Sequence, residues 1–215
     1  METIQIIALA MGVAWASGIN LYAAIATLGI LGSTGNLDLP PDLLVLQHPG
    51  VIAAAGFMYC VEFFADKVPG VDTGWDTLHT FIRIPAAAIL AAGAVGEVNP
   101  AMTLVAGILG GALAATSHTL KAGSRVLINA SPEPFSNIGA SLVEDTVVFA
   151  GLLGAVYYPG EFLLFMALFI AAAIWAIPKI WRGIRFLASR LSSLFRSSAR
   201  TPPAGEPAPT LRLTR

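Results

Sequence analysis

Six runs of mostly apolar residues divide the 215-residue chain, each close to the ~20 residues a helix needs to cross a bilayer. They read as Ile4 to Leu31, His48 to Ala65, Thr73 to Val95, Met102 to Leu127, Asn137 to Tyr157 and Glu161 to Ile177. A soluble core does not account for six such runs in so short a chain. Only 12% of residues are charged, about half the ~25% of ordinary soluble domains. The expected fold is therefore an all-α integral membrane protein with about six transmembrane helices. The third run is the weakest, because its purely apolar part, Ile84 to Val95, crosses only if the polar turn before it is included. A re-entrant or interfacial segment competes there.

Charge sets the sidedness. With six spans, all 12 Lys and Arg fall on the side of the two termini, whereas the opposite loops hold Asp38, Asp42, Glu97 and Glu161. The positive-inside rule then makes both termini cytoplasmic in a cell inner (plasma) membrane. The start, METIQ, carries an acid where a signal peptide has a basic region, so the first run is expected to stay as an anchor. Residues 1–178 form the expected transmembrane domain. Pro178 is expected to break the last helix. Residues 179–198 follow, with Ile180, Ile184, Leu187, Leu191 and Leu194 at helical spacing and arginines between them. That pattern suits an amphipathic helix lying on an anionic leaflet, or a basic stop-transfer tail. Residues 199–215 read as a disordered, basic, Pro-rich tail. The lone Cys60 excludes an internal disulfide.

An inverted 3+3 repeat is one reading of the internal similarity. Gly12 to Ala24 aligns without gaps to Gly111 to Gly123, while a rival alignment sets Ser17 to Ala55 against Ser136 to Ile174.

The polar residues inside this frame are the functional signal, since ionisable groups in a bilayer are costly and face a cavity, a partner or one another. Asp76, His79 and Arg83 share one helical face, and His118, Lys121 and Arg125 share another. In an antiparallel hairpin of the third and fourth spans, Asp76 is level with Arg125, His79 with Lys121, and Arg83 with His118. Glu62 and Asp66 lie one turn apart near the cytoplasmic end of span two, and Glu144 and Asp145 about two turns into span five. Adjacent residues point about 100° apart on a helix, so these last two cannot face the same neighbour. One can meet the basic face, and the other must find Arg83, a proton or a solute. Asn20, beside Gly18 and near Ser17, interrupts the first run. His79 and His118 with nearby carboxylates are a thin basis for a metal, and no metal or cofactor is assigned. The sequon Asn129-Ala-Ser131 falls on the cytoplasmic side and is discarded. No phosphate-binding glycine loop, nucleophile elbow or HExxH pattern occurs.

Two segments resemble a known family. One carries His118, Lys121, Arg125 and Asn129, the turn Ser131-Pro132-Glu133-Pro134, then Asn137, Glu144 and Asp145. The other carries Asp66-Lys67-Val68-Pro69-Gly70, Asp72, Trp75, Asp76, His79, Arg83 and Pro85. Together they are similar to the small bacterial membrane proteins grouped as domain of unknown function 4126, over roughly residues 5 to 178. The resemblance implies the fold and this choice of polar residues, and no activity. The function expected from the residues is a small transporter or channel-like permease with a cytoplasm-facing polar site open to proton coupling. The alternatives are a lipid-headgroup-handling protein or enzyme at the cytoplasmic leaflet, with Arg83, Lys121 and Arg125 gripping phosphate, and a structural partner whose charges only pair. The expected partners are the bilayer and a small solute, ion or headgroup, with a homo-oligomer open and nucleic acid not expected.

Overall fold

A computed structural model describes residues 2–96, 99–130 and 135–198. Side chains at position 191 and at 193–198 are not described, so Leu191 and Leu194 of the amphipathic stripe fall outside it. So do Glu133, the Ser131–Pro134 turn and the 199–215 tail. The described chain is helical: α1 (Thr3–Ser33), the short 3-10 helix η1 (Pro41–Gln47), α2 (Pro49–Ala65), α3 (Val71–Val95), α4 (Pro100–Ile128), α5 (Phe135–Tyr157) and α6 (Pro159–Ser198). Five of these are long and apolar enough to cross a membrane, and η1 with α2, bent by 69°, makes a sixth candidate. The uncertain third span is one continuous helix that includes its polar turn and carries Pro85 within it.

Helix α1 is the hub. It is apolar on every side and buried from Ala8 to Gly29, as a helix surrounded by others must be. Small residues let its neighbours close in. Gly12 lies against Ala155, and a side chain at Gly18 would overlap Ser117 Oγ and the Ala114 carbonyl. Trp15 fills the space left by Gly151 and packs edge-on against Phe162, Phe165 and Phe169.

It is also broken. Asn20 leaves helical geometry (φ −147°, ψ 97°), and its side chain accepts a hydrogen bond from the Ala23 amide, capping the second half of α1. Residues 3–19 descend along α5: Gln5 and Leu9 share a cavity with Tyr157, Gly12 meets Ala155, Trp15 meets Gly151, and Asn20 meets Asp145. Residues 21–33 climb back: Tyr22 meets His79, Gly29 meets Leu46 and Ile52, and Gly32 meets Leu39. The cavity holding Gln5 and Leu9 is also lined by Asn36, Leu37 and Asp38. Both ends of α1 thus lie at one end of the bundle, beside the C-terminal ends of α3 and α5. Its apolar run does not traverse the bundle once; it dips in and returns. Non-helical backbone at such depth is tolerated only when protein surrounds it, and Asn20 is 1% exposed.

The expectation that both termini share a side is corrected by this geometry. The start of α1 and the far half of α6 lie at opposite ends, since Ile180 and Ile184 pack at Gly123 and Leu127 packs at Gly183. The expected helix break at Pro178 is corrected too: α6 runs through it to Ser198. At 1.5 Å per residue those 40 residues span about 60 Å, twice the hydrocarbon core, so α6 extends well beyond a bilayer. Ile180 and Ile184 cover α4 rather than facing lipid.

Candidate functional site

The basic end of the bundle gathers the polar residues of α1 to α5. Helix α2 delivers Glu62 and Asp66 from its last turn and C-cap. Gly70, at φ +87°, turns the chain into α3, a conformation that favours glycine. Asp72 fastens that turn by accepting from the Gly70 and Thr73 amides. One stripe of α3 then buries Asp72, Asp76, His79 and Arg83, and one stripe of α4 buries Ser117, His118, Lys121 and Arg125. On α5 the buried stripe is Asn137, Ser141, Asp145, Val148, Leu152 and Ala155. Asp145 therefore points inward, while Glu144 sits at the margin.

Three buried cations organise the acids. Arg83 donates to Glu62 (2.7 Å) and Asp76 (2.8 Å). Lys121 donates to Asp66 (2.7 Å), Glu62 (3.3 Å) and the Ile19 carbonyl (3.1 Å), and lies 3.7 Å from Asp76. Arg125 grips Glu144 with two nitrogens (2.6 and 3.3 Å) and also donates to Asn137 and to the Asp66 carbonyl. Asn129 donates to both oxygens of Asp72 at 2.9 Å. Asn20 lies 3.4 Å from Asp145.

The expected pairing of Asp76 with Arg125 is corrected. The hairpin keeps the expected register, with Gly110 on Ala91 and Asn129 on Asp72, but the long Lys121 and Arg125 side chains reach about one turn along it, Lys121 to 3.7 Å from Asp76 and Arg125 to 4.0 Å from Asp72. Arg83 and His118 do meet, at 3.3 Å. His79 turns to Tyr22 instead of Lys121. As a permanent donor, Arg83 makes His118 Nδ1 an acceptor. Nε2–H then donates to Thr80 Oγ1, 2.7 Å away, whose own proton goes to the Asp76 carbonyl. His118 is thus a neutral imidazole. His79 donates from Nδ1 to the Trp75 carbonyl, and its Nε2 lies 3.1 Å from the Tyr22 hydroxyl.

The structure brings together Asn20, Glu62, Asp66, Asp72, Asp76, His79, Arg83, His118, Lys121, Arg125, Asn129, Asn137, Glu144 and Asp145. Sequence reasoning missed Tyr22, Lys67, Thr80 and Ser141. Lys67, in the α2–α3 turn, donates to the Phe63 carbonyl (2.9 Å) and Ser141 Oγ (3.3 Å), and burial lowers the pKa of its ammonium. Lys67 carried a sequence signal as part of the Asp66–Gly70 segment, and Ser141 at one-turn spacing between Asn137 and Asp145.

With this geometry in hand, the match to a family model described as a domain of unknown function (DUF4126), over residues 7–179, has a physical counterpart. The chain belongs to the DUF4126 family. The matched region contains the whole ionic cluster of this DUF4126 protein and ends just after Pro178. No curated protein and no solved structure matches the chain.

Proposed function

We propose that this DUF4126 protein is a small ion-coupled membrane carrier or channel-like permease of the cell inner membrane, with its ionic cluster toward the cytoplasm. Charge balance carries the reading. Among the described residues the cluster holds six carboxylates, Glu62, Asp66, Asp72, Asp76, Glu144 and Asp145, against Arg83, Lys121, Arg125 and the half-buried Lys67. The carboxylates outnumber these Lys and Arg side chains by two. Glu62 Oε2, Asp66 Oδ1, Asp76 Oδ2 and Asp145 Oδ2 are buried without a donor. Anions in that state take up protons or cations, which a coupled carrier requires and a purely structural ion-pair network does not.

Helix α2 is the element suited to move. It buries only Ala55 and Glu62 along its length, so its inner end is held mainly by Glu62 and Asp66 on Arg83 and Lys121. Changing the charge of these acids loosens that latch. The basic end faces the cytoplasm by the positive-inside rule, which puts the start of α1 on the opposite side. A structural role is the second reading, supported by each buried cation's holding more than one partner. The headgroup reading has less support: the groove of about 540 Å³ beside α1, α4 and α6 is lined by apolar residues such as Met11, Leu109 and Ile174 and by none of the charged ones.

Proteoliposomes on a solid-supported membrane test the proposal. PH or salt jumps are expected to evoke protein-dependent charge movement that Glu62→Gln diminishes. No charge movement in any jump, with the protein folded and inserted, refutes it.

A further inference from the structure

We infer that the break in α1 is a binding site for one small monovalent metal cation, with Asp145 as its charged ligand. The inference rests on the ion-coupled reading above and gives it a place. Asp145 differs from the other carboxylates of the cluster: among the described residues no basic side chain lies within 4.0 Å of it. It is 8% exposed, Oδ1 has a single long contact with Asn20 Nδ2, and Oδ2 has no partner. Lys67 is tied instead to Ser141, one turn away on α5.

The break supplies what a lone carboxylate lacks. The first half of α1 ends here, and the carbonyls at a helix C-terminus carry partial negative charge. That field already attracts one cation, since the Lys121 ammonium lies 3.1 Å from the Ile19 carbonyl. Asn20 divides its amide, with Oδ1 on the Ala23 amide and Nδ2 toward Asp145. One turn earlier, Ser17 is fully buried and its hydroxyl is unpartnered. Half-helix C-termini and unwound carbonyls deep in a bundle are a recognised way to hold a coupling ion. A set of neutral oxygens with one carboxylate suits a sodium-class ion. A divalent ion asks for more carboxylates and a transition metal for nitrogen or sulfur. Among the described residues no group of three or more His, Cys, Asp or Glu is placed to hold a metal. One cation here also removes one of the two surplus charges.

The test is thermal stability of the purified protein in NaCl against choline chloride at constant ionic strength, with ²²Na⁺ binding by scintillation proximity as a second readout. Sodium is expected to raise the melting temperature saturably, because a ligand of the folded state alone stabilises by mass action. About one ion is expected to bind per chain, and Asp145→Asn is expected to remove both effects. Ser17→Ala is expected to weaken them by about tenfold, roughly one lost ligand. If Asp145→Asn does not fold, wild-type ²²Na⁺ binding and Ser17→Ala decide. Equal responses to sodium and choline, absence of ²²Na⁺ binding, or a sodium response unchanged in Asp145→Asn overturns the metal site. If pH instead of sodium acts through Asp145, the site is wrong while the ion-coupled reading stands. If neither acts and no charge movement is seen, both fall.

Discussion

Arg125 is the strongest single test of the network. Its guanidinium is fully buried, bound twice by Glu144 and further satisfied by Asn137 and the Asp66 carbonyl. Arg125→Met leaves Glu144 and Asp72 without their cation, and breaking a buried pair from one side costs about 3–5 kcal/mol. Glu144 is the partly exposed partner, at 19%. Glu144→Gln keeps an acceptor for one Arg125 nitrogen and should cost about 1–2 kcal/mol. Because the two share a bidentate contact, the double variant should fall short of the sum by about 1–3 kcal/mol. Asp76 makes its contacts with Arg83 and Lys121 instead, so Arg125→Met with Asp76→Asn should couple only through Lys121 and Asp66, by about 0.5 kcal/mol and less than Arg125 with Glu144. Unfolding by SDS titration in mild detergent, followed by intrinsic tryptophan fluorescence, measures all five variants. Coupling of Arg125 to Asp76 that equals or exceeds its coupling to Glu144 refutes this assignment of partners and the network built on it.

Three further outcomes are expected. In a Cys60→Ala background, Thr3→Cys and Asn36→Cys should react with an impermeant maleimide from one side of the membrane and Ser189→Cys from the other; labelling of Thr3→Cys from the Ser189 side rules out the returning α1. Gly18→Ala should destabilise by about 1–3 kcal/mol, because the methyl overlaps Ser117 Oγ and the Ala114 carbonyl, whereas Gly56→Ala, which meets nothing within 4 Å, should be close to neutral in the same SDS titration. Burial, the largest influence on Lys67, lowers its folded-state pKa, so between that value and the unfolded lysine value near 10.4 the unfolded chain binds the extra proton and stability rises with pH. Lys67→Met should flatten that rise, and an unchanged pH profile counts against the buried setting of Lys67.

Much of this protein is determined by sequence alone. Apolar runs of bilayer length fix an all-α membrane fold, and one-turn spacings on spans two to five select the buried acids and bases. Those are local properties: a helix of known pitch puts residues three or four apart on one face, whatever surrounds it. The opposition of Glu144 to Asp145 was legible for the same reason, and the structure assigns Glu144 to Arg125 and Asp145 to Asn20. What spacing does not contain is how helices are set against one another. Equal depth on the α3–α4 hairpin did not assign the ion pairs, because the long Lys121 and Arg125 side chains reach about a turn along it to Asp76 and toward Asp72, and no count of residues reports that. The fate of α1 was likewise a tertiary decision. Ser17-Gly18-Ile19-Asn20 reads as a polar interruption in an otherwise apolar run, and a straight helix bearing one asparagine would satisfy the same letters. The turn at Asn20 exists because α3, α4 and α5 enclose it, Lys121 caps the carbonyl end and Asn20 caps the amide end. Deep in a bilayer, backbone can leave the helix only where such partners are already in place, and only the folded bundle supplies them.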